Sequence, residues 1–394
     1  MPLTPALSNA LPLTLTGVAD TESPLTLNLI TDNGLEPVSP LWLRERTQDP
    51  AQLDQVTTQR LFDSHAIDVN IALTAAQGVD DTHVEFTFSD GHCEVYDLTV
   101  LAHELQGITP FPVAESWNAS IDQQAQRVDW QKMGNNADFQ KALAAYLRFG
   151  YIIVTNVPTD PERILEVAGH FGYVKDTNFG SYFEVYSRPT GNDLAYRSVA
   201  LGPHTDNPYR DPVPGIQMLH CLVNETTGGL STLVDSLNAL KLLKAEMPLG
   251  YELLRTTPVG FRFLDAGTEL TTRRCVIRES DDGVPIGVNY SPRLDNLPHM
   301  SLENTRLYHQ ARQRLGQLFQ DPANEIRFQL ASGELMMFDN TRVLHGRTAF
   351  DTNEGRRHLQ GCYMDGDGPR ERFATTLMRE RQEETQQEHR EEMA

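Results

Sequence analysis

Two rhythms of apolar and polar residues run along the chain, and they divide it into parts. From about residue 20 to 105 the pattern has a period of two, as in Val84-Glu85-Phe86-Thr87-Phe88 and Cys93-Glu94-Val95-Tyr96, with Asp90-Gly91 between them. Successive side chains of a strand face opposite ways, so this alternation predicts half-buried strands joined by a tight turn, in a small antiparallel domain over 1–105. Residues 106–129 carry Pro110, Pro112 and a polar run, and read as a linker. A larger domain is expected over 130–380. It opens on a helical pattern, Phe139-Gln140-Lys141-Ala142-Leu143-Ala144-Ala145-Tyr146-Leu147, followed by the strand Tyr151-Ile152-Ile153-Val154. A second helix is predicted from about Glu303 to Gln320, where Leu307, Ala311, Leu315 and Leu318 recur at helical spacing. The run Glu334-Leu335-Met336-Met337-Phe338 reads as a buried strand with a turn after it. Residues 381–394, rich in Glu and Arg, read as a solvated tail without function.

Composition narrows the class. With 394 residues and 39% hydrophobic content, the chain can build a sizeable core. Its formal net charge of −21 argues against nucleic acid or an anionic membrane as partner, because both demand a basic surface. No run of eighteen apolar residues occurs and the N-terminus lacks the basic start of a secretion signal, so a cytoplasmic location is expected. Cys93, Cys221, Cys275 and Cys362 are widely scattered and are expected to be free thiols.

Candidate chemistry begins at His204-Thr205-Asp206 and continues at His345, within Phe338-Asp339-Asn340-Thr341-Arg342-Val343-Leu344-His345-Gly346-Arg347. Two imidazoles and a carboxylate at this spacing are the ligand set of a mononuclear non-haem Fe(II) site, which occupies one face of the metal and leaves positions open for oxygen chemistry. Residues i and i+2 of a strand share a face, so His204 and Asp206 can reach one metal while Thr205 points away. The third ligand must come from a strand near in space and distant in sequence, as His345 is. Arg357 lies twelve positions further on, on what reads as the next strand of the same sheet. A guanidinium there can fork onto the distal carboxylate of a dicarboxylate co-substrate whose keto-acid end chelates iron. A 2-oxoglutarate-dependent oxygenase requires that arrangement. The bland alternative is an exposed hairpin arginine.

At this point the residues carry a resemblance. Pro203-His204-Thr205-Asp206-Asn207-Pro208, Pro214-Gly215-Ile216-Gln217-Met218-Leu219-His220-Cys221-Leu222 and Thr227-Gly228-Gly229-Leu230-Ser231-Thr232-Leu233-Val234-Asp235 resemble the γ-butyrobetaine hydroxylase branch of the taurine-dioxygenase-like superfamily. So do Phe338-Asp339-Asn340 with His345-Gly346-Arg347, and Arg357-His358-Leu359-Gln360-Gly361-Cys362-Tyr363. Together these blocks extend over most of the chain and are specific. The resemblance implies a mainly β fold with flanking helices: a double-stranded β-helix, or jelly roll, as catalytic domain, with a small β-rich N-terminal domain. It also implies Fe(II), with 2-oxoglutarate and O2 as co-substrates, and hydroxylation of a quaternary-ammonium acid with release of succinate and carbon dioxide. Arg357 is then the partner of 2-oxoglutarate, and Thr232 adds a hydroxyl. Relatives tend to form homodimers, and the sequence neither supports nor opposes that.

A trimethylammonium group cannot donate hydrogen bonds, so aromatic faces must recognise it, at about 0.5 to 2 kcal/mol each. By the resemblance, the family's aromatic cage falls on Phe179, Phe183, Tyr196 and Tyr363. Without it, aromatic residues at such spacing are more often core. For the anionic end, relatives place an asparagine-type donor where this chain has Asp193, an acceptor, with Asn192 beside it. Asn289 and Arg293, in Val288-Asn289-Tyr290-Ser291-Pro292-Arg293, lie where the family closes over its substrate. The extra charge leans toward 2-(trimethylammonio)ethylphosphonate, with γ-butyrobetaine as the alternative. Relatives also carry a zinc site in the small domain, with cysteines after a Trp-Leu-Arg motif. Here Trp42-Leu43-Arg44 is followed by Glu45-Arg46-Thr47-Gln48-Asp49-Pro50, and His92 alone cannot hold a zinc that wants four ligands, so no zinc is expected. Three rivals remain open: a zinc hydrolase, a non-catalytic jelly-roll binding protein, and a trimethyllysine hydroxylase.

Overall fold

The computed structural model describes residues 11–17, 24–186, 199–265, 267–351 and 353–379. Two compact units form, residues 1–110 and 111–394.

In the first unit, β1 (Leu13–Thr16), β2 (Thr26–Thr31) and β3 (Gly34–Pro37) make one antiparallel sheet, followed by the short helix α1 (Pro40–Arg44). A second antiparallel sheet contains β4 (Leu73–Gly78), β5 (His83–Phe88) and β6 (Cys93–Asp97), and α2 (Leu98–Leu105) closes the unit. Val84, Phe86 and Phe88 on one face of β5 are buried beside Leu27, Leu43 and Leu98, as the alternation requires. Gly91, in the β5–β6 turn, has φ +85°, which explains the Asp90-Gly91 signal. His92 is engaged in hydrogen bonds: its Nε2 lies 2.9 Å from Glu94 Oε2 and its Nδ1 3.3 Å from Gln52 Nε2, while Thr47 Oγ1 donates to Glu94 Oε2 at 2.6 Å.

The second unit begins earlier than the sequence suggested, because residues 111–129 pack into it rather than linking. Trp117 is buried, donating its backbone N–H to Asp235 and its indole N–H to the Phe149 carbonyl. β7 (Arg127–Asp129) pairs in parallel with β8 (Tyr151–Thr155) across α3 (Asn136–Phe149). Asn135 caps α3 by accepting from the Asp138 N–H, and Gly150, at φ +76°, ends it. Next come α4 (Arg163–Phe171), β9 (Phe183–Tyr186), β10 (Leu201–His204), β11 (Ile216–Asn224) and β12 (Ser231–Asp235). The helices α5 (Ser236–Glu246) and α6 (Pro248–Thr256) lead to a hairpin of β13 (Val259–Asp265) and β14 (Thr268–Arg274), then to a second hairpin of β15 (Ile277–Glu279) and β16 (Pro285–Val288). After β17 (Asp295–Asn296), α7 (Leu302–Gln320) buries Ala311, Leu315 and Leu318 against α5 and α6. The last strands are β18 (Glu325–Phe328), β19 (Leu335–Asp339), β20 (Val343–Arg347) and β21 (Arg357–Met364).

Two sheets build this unit: one ordered β7-β8-β19-β11-β21-β9, the other β10-β20-β12-β18. Chain neighbours therefore alternate between sheets, so β10 and β20, 141 residues apart at His204 and His345, become spatial neighbours. This corrects one expectation. Arg357 is on β21 in the six-stranded sheet, whereas His345 is on β20 in the four-stranded one. The apolar run of β19 is almost continuous because both of its faces are covered. Among the described residues, no helix is long and apolar enough to cross a membrane. Residues 381–394 lie outside the described residues.

Candidate active site

The end of β10 and the middle of β20 are held in register, with His204 opposite His345. Their ring centroids lie 4.3 Å apart, and His204 Nε2 is 3.2 Å from Asp206 Oδ1. His345 Nε2 lies 4.0 Å from Asp206 Oδ2. One ligand atom from each of the three fits within 4.8 Å of the others, and among the described residues this is the group of histidine, cysteine and carboxylate side chains that can hold a metal ion. His204 Nδ1 faces the Gly202 carbonyl at 3.0 Å, which makes Nδ1 the protonated nitrogen and turns the Nε2 lone pair inward. Burial and neighbouring His204 push His345 down to about 3, so its imidazole is neutral. Burial acts to raise the Asp206 carboxyl, but His345, His204 and the Tyr363 hydroxyl outweigh it and hold it below the usual carboxylate range. Neutral imidazoles and an ionised carboxylate are the states a divalent cation needs. The donor set therefore fits Fe(II).

The triad is braced from behind. Thr205 points away from it, accepting the Tyr290 N–H at 2.9 Å and donating its own N–H to the Tyr290 carbonyl at 2.8 Å. Asn340, fully buried in the turn after β19, accepts the Asp206 N–H at 2.7 Å and donates to the carbonyls of Asp206 and Pro214 at 3.0 and 2.9 Å. Tyr363, on β21, donates its hydroxyl to Asp206 Oδ2 at 2.8 Å. The motif Phe338-Asp339-Asn340 was visible in sequence, but not what Asn340 clamps.

A cavity of about 410 Å³ opens over the triad. One wall is aromatic. Phe183 lies 5.1 Å from Tyr363 and 6.4 Å from Phe179, centroid to centroid, and Phe179 meets Phe263 edge-on at 5.9 Å. Phe263 then stacks on Tyr209 at 4.8 Å. Gly361 makes room for this wall, since a Cβ there would sit 2.4 Å from the Phe183 ring. Phe263 comes from the β13–β14 hairpin and Tyr209 from the loop after the triad; neither was singled out from sequence. A lone Phe in an alternating strand carries no signal of facing a cavity. Asn192, Asp193 and Tyr196 lie outside the described residues.

The opposite chemistry comes from Arg293, Arg347 and Arg357, which all line the cavity. Arg357 is buried; its Nε has no hydrogen-bond partner, and its guanidinium lies 5.5 Å from the Phe350 ring centroid. Burial lowers its pKa from the ordinary value. Arg347 lies 5.0 Å from the same ring, and burial, then the nearby Arg357 charge, pulls it down to about 10. The Arg293 charge is close enough to act on His345. Two of the expected residues, Thr232 and Asn289, are not part of the cavity lining. Thr232 pairs with Gly346 and the pleat turns it from the face shared by His345 and Arg347, so Ser231 lines the cavity in its place. Asn289 is buried and commits its amide to the Cys275 carbonyl at 2.8 Å, and Ser291, two residues on, reaches the cavity instead.

A triad fit for a metal, a buried guanidinium on the same cavity and an aromatic wall are what an iron- and 2-oxo-acid-dependent oxygenase site requires. Residues 109–363 match the taurine catabolism dioxygenase TauD, TfdA family, and the chain belongs to that family. It is similar to the gamma-butyrobetaine dioxygenase of Pseudomonas sp. (strain AK-1), with 31% identity over 85% of this chain and 89% of that one. It is also similar to the mitochondrial trimethyllysine dioxygenase of Homo sapiens, with 31% identity over 83% of this chain and 80% of that one. Among solved structures, an asparagine oxygenase in complex with Fe(II), 2S,3S-3-hydroxyasparagine and succinate aligns with a TM-score of 0.47 and 18% identity, over 58% of this chain and 80% of that one. The protein is a non-haem iron, 2-oxoglutarate-dependent dioxygenase.

Proposed function

We propose that this dioxygenase hydroxylates a methylene of a small quaternary-ammonium acid, with 2-(trimethylammonio)ethylphosphonate as its preferred substrate. The observation that carries the reading is one cavity with an aromatic wall at Tyr363, Phe183 and Phe179 and the Arg293 guanidinium with Ser291 elsewhere on its lining. Aromatic faces attract a diffuse cation that forms no hydrogen bonds, while a guanidinium and a hydroxyl suit a multiply charged oxyanion. The names of the relatives, a gamma-butyrobetaine dioxygenase and trimethyllysine dioxygenases, support the quaternary-ammonium end.

In this reading His204, Asp206 and His345 hold Fe(II), and Arg357 with Ser231 takes the distal carboxylate of 2-oxoglutarate. Bound there, iron and the oxo acid supply oxidative decarboxylation, giving succinate, carbon dioxide and an oxidant for one C–H bond. The chain's own residues do the positioning. Tyr363 orients the Asp206 carboxylate, the Gly202 carbonyl fixes the His204 tautomer, and the aromatic wall and Arg293 hold the substrate by its two ends so that a methylene faces the metal. γ-Butyrobetaine is the second reading, favoured by the Pseudomonas relative. A panel of trimethylammonioethylphosphonate, γ-butyrobetaine and trimethyllysine, compared by kcat/KM for succinate release, decides between them. The phosphonate should lead by at least about tenfold, the ratio of one charge-assisted contact. Equal or higher kcat/KM for γ-butyrobetaine would replace the first reading by the second.

A further inference from the structure

The second unit contains another cavity, of about 1000 Å³, that shares no lining residue with the catalytic one among the described residues. It lies among α5, α6, the β15–β16 hairpin and the turn after β19. Lys241, Lys244, Arg274, Arg278, Arg342 and Arg370 line it, against two carboxylates, Asp211 and Asp339. Over the whole chain the balance runs the other way, 54 acidic residues to 33 basic. A cleft that reverses the sign of the surrounding surface focuses its field on a counter-ion.

Part of this charge is already matched. Arg342 is paired with Asp235 at 3.0 Å and donates to the carbonyls of Arg148 and Glu115. Asp339 is occupied by the N–H and hydroxyl of Thr341. Arg274 and Arg278 are less well served. Arg274 donates to the Arg210 carbonyl at 2.6 Å, but its Nε is buried with no partner, and the nearest carboxylate, Asp211, is 3.8 Å away with its side chain 88% exposed. Burial lowers the Arg274 pKa; the Asp211 charge opposes the fall and the neighbouring Arg278 charge adds to it. Arg278 is itself depressed by burial, with Asp339 as the charge that opposes it, and it has no carboxylate within 4.0 Å among the described residues. Two neighbouring guanidinium groups, partly desolvated and sharing no carboxylate closer than the exposed Asp211 at 3.8 Å from Arg274, gain from an oxyanion that bridges them. Lys241 and Lys244, three residues apart on one face of α5, add two exposed ammonium groups at the rim.

We propose that this cavity binds a small polyanion through its phosphate or carboxylate oxygens, with Arg274 and Arg278 gripping one end and Lys241 and Lys244 the other. Arg, as a planar fork, sets the geometry at the inner end, and the two lysines supply charge at the outer end. The catalytic Arg357 takes no part in it.

Inorganic tripolyphosphate, titrated calorimetrically into the metal-free full chain to avoid chelation of iron, is the probe. Saturable binding is expected. The double variant K241Q/K244Q changes only exposed side chains and should weaken it at least tenfold, as should R278Q. R357Q should leave it unchanged. Loss of binding in R357Q with retention in K241Q/K244Q would place the anion in the catalytic cavity and overturn the proposal. So would the absence of saturable binding to the unaltered chain. Should R278Q fail to fold, the lysine pair alone carries the test. Tribasic citrate, titrated the same way into the chain once tripolyphosphate binds, separates carboxylate from phosphate ligands, and loss of the site leaves the hydroxylase reading untouched.

Discussion

The Tyr363 hydroxyl donates to Asp206 Oδ2 at 2.8 Å, so a side chain of the aromatic wall also holds the carboxylate of the metal triad. The cavity wall and the triad carboxylate meet in one residue, on the strand that begins with Arg357. Tyr363→Phe keeps the ring and removes the hydrogen bond. Because partners that orient a ligating group typically carry ten- to a hundredfold in metal affinity or activity, the variant should bind Fe(II) about tenfold more weakly. Fe(II) titration followed by succinate release checks it. An unchanged metal affinity would show that Asp206 needs no such partner.

Asn340 makes three hydrogen bonds that no neighbour can replace, to the N–H and carbonyl of Asp206 and to the Pro214 carbonyl. Asn340→Ala leaves these backbone groups without partners in a buried turn. The expected loss is about 2 to 3 kcal/mol of unfolding free energy, together with loss of metal binding. Urea denaturation of the metal-free protein measures the first part. A change under about 0.5 kcal/mol, the size typical of a surface substitution, would contradict it.

Arg293→Gln tests the anionic end separately from the iron chemistry. KM for the phosphonate should rise at least about tenfold, while KM for 2-oxoglutarate stays within about twofold, since one charge-assisted contact is worth about 1.5 to 3 kcal/mol. Equal effects on both would mean that Arg293 serves the co-substrate.

Much of this site was legible because its chemistry is local in sequence. His204 and Asp206 sit two residues apart, close enough to share one site, although β10 ends at His204 and Asp206 is held in the following bend by Asn340 and Tyr363. His345 could be found from a buried strand and a turn, but its pairing opposite His204 is a property of sheet order, which alternates between β10-β20-β12-β18 and the larger sheet. The same non-local order misled the placement of Arg357. Thr232 and Asn289 stand off the cavity lining for a different reason: each lies within two residues of the side chain that does line it, Ser231 or Ser291, and a one- or two-residue choice of face depends on register. Phe263 and Tyr209 were invisible because an aromatic residue that faces a cavity and one that fills a core have the same pattern. Residues 111–129 read as linker because Pro110 and Pro112 masked a short parallel strand and the buried Trp117.

His220 on β11 is a buried imidazole that the metal site does not use. Neither ring nitrogen has a hydrogen-bond partner, and burial pushes it down to about 4 from an ordinary value of 6.5. The folded state therefore holds it neutral while the unfolded chain takes up a proton below pH 6.5. Its contribution to stability is complete above pH 6.5 and is lost as the pH falls through that value toward 4. Across this window it costs the native state up to about 3 kcal/mol. His345 is depressed in the same direction, so acidification of the metal-free protein destabilises it through both groups, and only a variant separates them. His220→Leu, between Leu335 and Gln360 on the flanking strands, removes the titration and two unpartnered polar atoms while keeping an apolar side chain of similar reach. The variant should be more stable by about 1 kcal/mol at pH 7.5 and by a larger margin at pH 5, where the protonation penalty of the native histidine adds to the difference. Urea denaturation of both proteins at the two pH values reads the margin directly. A difference that is constant with pH, or one that shrinks on acidification, would mean that His220 is solvated or paired in the native state.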